Sequence, residues 1–415
     1  MKIREMSQKK FGIWLIGARG GVATTAIIGL AGLVKKLTPA YGLVTEQEAF
    51  EGLDLTAWDQ MVVGGHDIRD TNLIREAAKL AQVSRAFDLS LVQQCEDELT
   101  AVDSNIRPGI ILNVGKTIEG LSDDGFVKQA SCPSEAISLI QSDLKDFQTQ
   151  HDLAGVVMVN VASTEPTGDL SILPKQWDEF SAELDGPIAA SIPASSLYAI
   201  AAIDAGFPYV NFTPSVGSEL PAIVDLAQKR SVCHMGHDGK TGETLMKSAL
   251  APMFSHRNLE IMSWVGHNIF GNMDAVVLDD ADNKKTKVTS KDRLLGQILG
   301  YSPQTHISIE YIKSMGDWKT AWDHIHFRGF LGTPMTLQFT WQGCDSILAA
   351  PLVLDLARLA LRAHRFGHIG LMPFLSCFFK SPLGTEENNF ERQYQELLKW
   401  VERVRVESID QVPTA

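Results

Sequence analysis

The sequence predicts an α/β protein: a doubly wound parallel sheet, an inserted α+β domain, and a C-terminal return to the first domain. Three observations lead there. Short, continuous apolar runs alternate with helical stretches through the first half of the chain, as strands buried on both faces of a parallel sheet do. After about Gly242 the strand-like segments interleave apolar and polar residues, the pattern of an antiparallel sheet with one wet face. The length, 415 residues, exceeds one ordinary domain and suits about two or three of roughly 100–200 residues each.

The elements follow in order. Phe11–Ile16 (FGIWLI) is an apolar run ending at a glycine and reads as a buried strand; Ala23–Leu37, rich in Ala, Ile and Leu, reads as the helix after it. Met61–Val63, Ile110–Val114 and Val156–Val161 are further strands, with helices such as Asp70–Ala81 and Pro133–Gln150 between them. In the second half Met262–Val265, Val276–Leu278, His306–Ile309 and Met335–Trp341 read as strands, Ser346–His364 as a long helix and Phe390–Arg405 as a final amphipathic one. The implied units are 1–244, 245–345 and 346–415.

Hydrophobic residues make up 45% of the chain, enough for a large core, and the net charge is −13. Such a chain does not bind nucleic acid or an anionic membrane through bulk charge. Any phosphate must be held by a local cluster. The five cysteines, Cys95, Cys132, Cys233, Cys344 and Cys377, are odd in number and form no C-x-x-C pair, which fits a reducing cytoplasm. The sequence shows no uncharged apolar run of membrane-spanning length, and no signal peptide is expected. A soluble, cytoplasmic protein is expected.

The first strand leads into Gly17-Ala18-Arg19-Gly20-Gly21-Val22-Ala23-Thr24-Thr25. Glycines in a strand-to-helix turn let the backbone approach a pyrophosphate, and the helix offers its N-terminal N–H groups. Thr24 and Thr25 add hydroxyls. The motif departs from G-x-G-x-x-G, because Arg19 stands where the second glycine belongs, and a turn without a cofactor has the same composition. Asp67, following Gly64-Gly65-His66, is a candidate for the ribose; its competing role is a helix cap.

Four segments of the second half carry lysines: Gly236–Thr244 (GHDGKTGET), Lys287–Lys291, Gly316–Lys319 and Phe378–Pro382. The first ends in Gly and Thr before a helical run, a seat for phosphate at a helix N-terminus. If the second is helical, its two ammoniums share one face and repel by about 0.2–0.5 kcal/mol. A bound anion relieves that repulsion, and burial beside a second cation depresses a lysine pKa toward proton-transfer duty. Lys380 sits in an apolar run, and a buried lysine needs a reason. Taken singly, exposed lysines are more often only solvated. The pairs His234/His237 and His364/His368 have helical spacing but no third ligand, so no metal site is expected.

Together these segments resemble the inositol-3-phosphate synthase family. Its glycine-rich NAD turn is similar to Gly17–Thr25, its Gly-Trp-Asp-Ile to Gly65-His66-Asp67-Ile68, and its Thr-Ala-Asn-Thr-Glu to Val161–Glu165. The stretch Ile192–Ala199 through Asn211–Pro214 also stays in register. Its Gly-Asp-Asp-x-Lys-Ser-Gly loop resembles Gly236–Gly242, and its Asn-His-Leu-Gly-Asn-Asn-Asp resembles Asn268–Asp274. Its two catalytic lysines fall at Lys287 and Lys291, its Gly-Asp-Ser-Lys at Gly316–Lys319, its Glu-Asp-Ser-Leu-Leu-Ala-x-Pro-Leu at Cys344–Leu352, and its last lysine at Lys380. Departures are Arg19, Val22 and Ala23 in the turn, and Glu243 where the family has glutamine.

The resemblance implies a Rossmann-type NAD-binding domain with an inserted catalytic and oligomerisation domain. It implies conversion of D-glucose 6-phosphate to 1D-myo-inositol 3-phosphate through C5 oxidation, enolisation, aldol closure and reduction. By the same resemblance Lys287, Lys291, Lys319, Lys380, Asp238 and Asp345 are catalytic. NAD would be held by Gly17, Gly20, Gly21, Val22, Ala23, Thr24, Asp67, Ala162, Ser163, Thr164, Asp238, Asn272 and Asp274. The substrate phosphate would be held by Thr241, Gly242, Glu243, Thr244 and Lys291. A homotetramer is implied too. A related NAD-dependent cyclase, epimerase or dehydrogenase acting on another sugar phosphate is the alternative, as is a non-catalytic NAD-binding regulator.

Overall fold

The computed structural model describes residues 9–123, 125–272 and 294–410. An eight-stranded sheet is built from β1 (Phe11–Ile16), β2 (Met61–Asp67), β3 (Ile106–Ile110), β4 (Val127–Lys128), β5 (Val156–Asn160), β6 (Tyr209–Asn211), β7 (Cys233–Met235) and, returning late in the chain, β12 (Gly370–Leu371). Its order is β12-β7-β6-β5-β1-β2-β3-β4, and the pairings are parallel. A four-stranded sheet holds β8 (Glu260–Phe270), β9 (Gln304–Tyr311), β10 (Trp318–Arg328) and β11 (Pro334–Cys344), in the order β11-β10-β8-β9.

Alternation along β1 divides the large sheet between two cores. Ile13 and Leu15 join Val157 and Val159 on one face; Trp14 and Ile16 join Val156 and Met158 on the other. The first face is covered by α1 (Gly21–Val34), α2 (Glu96–Asp103), α7 (Asp345–Arg365) and α8 (Phe390–Asp410), the second by α3 (Pro133–Gln150), α4 (Ala194–Asp204) and α5 (Pro221–Arg230). Helices on both faces explain why these strands are apolar throughout rather than alternating. The smaller sheet packs Ile261, Trp264 and Ile325 against Ala251 and Phe254 of α6 (Gly242–His256).

Three expectations are corrected. The strand expected at Ile110–Val114 lies earlier, at Ile106–Ile110. Val114 packs with Ile118, Ala194 and Ile111 in a small cluster beside the sheet, so that apolar run serves packing rather than pairing. Trp318–Arg328 was not foreseen as a strand; its interleaved Asp, His and Arg hid it, yet it pairs with both β8 and β11. The second sheet is mixed rather than antiparallel, because β8 and β9 run parallel. The segment 271–303 between them is long enough for the crossover that parallel strands require. The expected strand Val276–Leu278 lies outside the described residues, as do Asp274, Lys287 and Lys291.

Candidate active site

Parallel α/β sheets bind ligands beyond the carboxyl ends of their strands, and the glycine turn, Asp67, Ala162–Thr164 and Asp238 lie at or just after the ends of β1, β2, β5 and β7. Gly17, just after β1, has φ +81, and a Cβ on it would lie 2.8 Å from the Ala162 backbone. Only glycine lets the β1 turn and the segment after β5 approach so closely. Gly20 precedes α1, and a Cβ on Gly21 would meet nothing nearer than 4.0 Å. The backbone at the start of α1 is therefore clear at Gly21, as close approach of a pyrophosphate requires. Within its first turn the Thr24 hydroxyl is buried without a partner among the described residues. Val22 and Ala23 complete that turn, and Ser163 and Thr164 follow Ala162 as partly exposed loop residues. This arrangement fits a dinucleotide.

Arg19 explains how the turn tolerates a large side chain. The guanidinium leaves the turn and pairs with Asp103 at the end of α2, 3.0 Å away, while donating to the Arg69 carbonyl at 3.0 Å. Asp67 accepts the backbone N–H of Arg19 at 2.7 Å, of Ile68 at 2.9 Å and of Arg69 at 3.0 Å. Its carboxylate thus ties β2 to the glycine turn, a task separate from capping a helix.

A second group lies after β7. Asp238, in the left-handed region at φ +62, accepts a hydrogen bond from Lys380 Nζ at 2.7 Å. Their backbones are joined as well: Lys380 N–H donates to the Asp238 carbonyl at 2.6 Å, and Lys240 N–H to Phe378 at 2.8 Å. Two segments remote in sequence thereby deliver one ion pair. Thr241 then occupies the N-cap position of α6 without a side-chain capping bond, and the first residues of that helix are Gly242, Glu243 and Thr244. Lys240 is 2% exposed, donates to Gln393 of α8, and has its pKa pushed down to about 8, chiefly by burial.

A third group joins the small sheet to α7. Asn272 Nδ2 donates to Asp345 at 3.3 Å and to Asp317 at 3.4 Å. Asp317 also accepts the Ser346 N–H at 2.9 Å, and burial raises its pKa despite these donors. Ser346 in turn accepts from Thr25 of α1 at 3.0 Å. Lys319, two residues after Asp317, places its ammonium 4.8 Å from the centre of the Phe270 ring. Strand register puts Lys319, Ala321 and Asp323 of β10 on one face with Phe270, Asn268 and Gly266 of β8 and Gly343, Trp341 and Phe339 of β11. That face looks onto α6.

Glu243 does not present its carboxylate to the seat at the start of α6. It is 1% exposed, pairs with Lys247 one turn on at 2.6 Å, and accepts from Asn268 Nδ2 at 2.6 Å. A Cβ on Gly266 would lie 2.5 Å from its Oε1, so the strand makes room for it. Sequence reading did not single out Asp317, Asn268 or Lys247 as site residues. The i,i+4 spacing of Glu243 and Lys247 on a helix was the available signal for one of them. The histidine pairs do not assemble a centre: His234 Nδ1 contacts Ser218 and His368 Nε2 the Leu371 carbonyl. Among the described residues no group of three or more His, Cys, Asp or Glu could hold a metal ion.

The NAD-binding family model described as myo-inositol-1-phosphate synthase matches residues 11–402. Inositol-3-phosphate synthase 1 of Bacteroides thetaiotaomicron is 33% identical over 410 residues, spanning 92% of this chain and 91% of its own. Inositol-3-phosphate synthase of Caenorhabditis elegans superimposes with a TM-score of 0.85 at 24% identity, over 98% of this chain and 90% of that one. A myo-inositol-1-phosphate synthase-related protein from Thermotoga maritima does so with a TM-score of 0.76 at 23% identity, over 95% and 98%. The last two likenesses bear on the fold, and they hold across both sheets. From the glycine turn to the final helix, this chain belongs to the myo-inositol-1-phosphate synthase family, an NAD-dependent isomerase family.

Proposed function

We propose that the chain converts D-glucose 6-phosphate to 1D-myo-inositol 3-phosphate at the carboxyl end of the large sheet. The observation that carries this reading is the Lys380–Asp238 ion pair, which joins the segment after β12 to the loop between β7 and α6. NAD supplies the hydride acceptor for C5 of the open-chain sugar and the donor for its return, so the reaction is redox-neutral. The chain's own groups do the rest. A ketone at C5 acidifies C6; loss of that proton gives an enolate, which attacks the C1 aldehyde and closes the ring.

Lysines suit this work because an ammonium stabilises an oxyanion and burial brings its pKa toward neutrality. We assign Lys287 to proton transfer at the C5 oxygen, Lys291 and Lys319 to the phosphate or the enolate oxygen, and Lys380 to the C1 oxygen. Asp238 and Asp345 orient these groups, and Asn272 and Asp274 meet the nicotinamide end of NAD. Thr241, Gly242 and Thr244 hold the phosphate through the α6 N-terminus. Asp67 lies at the ribose end, with Gly17, Gly20, Gly21 and Ala162–Thr164 along the pyrophosphate. We assign 1–244 and 346–415 to the NAD-binding domain and 245–345 to the inserted one, with assembly into a homotetramer.

No helix among the described residues is long and apolar enough to cross a membrane. The five cysteines are free thiols, which supports a cytoplasmic setting. The test is incubation of purified protein with glucose 6-phosphate and NAD+, reading product by phosphorus NMR and NADH by absorbance. An inositol phosphate without net NADH is the expected result. Steady NADH accumulation would mark a dehydrogenase instead.

A further inference from the structure

The small sheet carries a buried hydrogen-bond donor with no role so far. The indole Nε1 of Trp341, on β11, is buried and has no hydrogen-bond partner among the described residues. Leaving a buried N–H unpaired costs free energy. The Trp14 and Trp400 indoles are unpaired among the described residues too, but they are packed inside the two cores of the large sheet, whereas Trp341 lies beside a helix N-terminus. Its surroundings indicate where an acceptor would sit. Trp341 stands opposite Ala321 in the β10–β11 ladder, on the same face as Lys319 and Asn268. A Cβ built on Gly242 would come within 3.7 Å of Nε1. Gly242 opens α6, so the unpaired indole borders the helix N-terminus that forms the phosphate seat.

Three other polar side chains of α6 and the small sheet are already paired. Glu243 is held by Lys247 and Asn268, each at 2.6 Å. The Trp264 indole donates to Asp323 at 2.7 Å, and the Trp318 indole to the Ser84 carbonyl at 2.6 Å. Trp341 differs from both in keeping its donor unspent.

We propose that Trp341 is a substrate-binding residue whose indole N–H donates to the phosphate of the sugar phosphate at the start of α6. This rests on the reading of that turn as the phosphate seat. A neutral donor suits the place, since it adds a directed bond without the mobility of a further lysine. A hydrogen bond to a charged acceptor is among the stronger kinds.

The test compares wild type with Trp341→Phe, or Trp341→Met should the phenyl ring fail to pack. Titration of the NAD-loaded protein with inorganic phosphate reads the seat without any turnover. Loss of one charge-assisted hydrogen bond should weaken phosphate binding about tenfold and raise KM for glucose 6-phosphate in parallel. The thermal midpoint should stay near wild type, because the lost donor has no protein partner. Unchanged phosphate affinity in a folded variant would overturn the proposal, as would a KM increase with phosphate binding intact. The larger reading fails separately: a wild type that binds phosphate through Trp341 yet forms no inositol phosphate keeps the donor and loses the reaction.

Discussion

At the scale of single residues, burial decides what each charge does. Glu243 stands where the sequence suggested an anion seat, yet its carboxylate pairs with Lys247 and accepts from Asn268. Glu243→Gln would leave Lys247 charged and buried without its counter-ion. Breaking a pair of that kind costs about 3 kcal/mol, read as a lower urea midpoint, and Glu243→Gln with Lys247→Met should recover most of it. Lys380→Ala should lower kcat by about 10²–10³-fold with circular dichroism unchanged, which a turnover assay on the folded variant checks. Glu165 titrates in a useful range. Burial raises its pKa from 4.5 to about 7, against hydrogen bonds from Ser195. Between those values the folded chain keeps a proton that the unfolded chain has released. Stability from this group is therefore complete below about pH 4.5 and is lost as pH rises through about 7. Glu165→Gln, a neutral mimic of the protonated acid, should gain stability over wild type as pH passes 7 and match it near pH 4.5. Denaturation at both pH values measures this.

At the scale of elements, backbone proximity governs the dinucleotide turn. A Cβ on Gly65 would lie 2.2 Å from the Leu15 carbonyl oxygen and 2.7 Å from the Ala18 side chain. A carbonyl in a central strand cannot step aside, so Gly65→Ala must displace β2 from β1. A cost of about 1–3 kcal/mol and weaker NAD binding are expected, readable by calorimetry and by cofactor titration. Arg19 illustrates the converse. Its side chain fits a turn suited to glycine because Asp103 and the Arg69 carbonyl draw it outward. The parallel pairing of β8 with β9 likewise follows from the long connection between them rather than from either strand's own residues.

At the scale of the whole molecule, α7 joins the parts. It begins at Asp345 in the site, where its first N–H donates to Asp317 at 2.9 Å, and it runs back along the large sheet. Three arginines on it hold the segment after α1. Arg358 Nε donates to the Thr56 carbonyl at 2.8 Å, Arg362 Nε to Leu53 at 2.6 Å and Arg365 to Asp54 at 2.5 Å, and Arg358 stacks 4.0 Å over Trp58. Arg358→Ala should cost about 2 kcal/mol, and proteolysis should then cut first within 43–60.

Much of this was legible in the sequence, for identifiable reasons. Continuous apolar runs located β1, β2 and β5, because burial on both faces leaves no polar positions. Pro133–Gln150 was read to the residue, its proline marking the first turn of the helix. Family motifs nominated Lys380 and Asp238 as candidates, and the fold brings the two together. What the tertiary structure alone decided were contacts between remote segments. Lys380 meets Asp238 across most of the second half of the chain, Ser346 meets Thr25, and Glu243 turns away from the seat because Lys247, Asn268 and the bare backbone of Gly266 receive it. Local sequence determined residue type and periodicity, whereas the direction of a buried side chain is set by whichever partner the fold brings within reach.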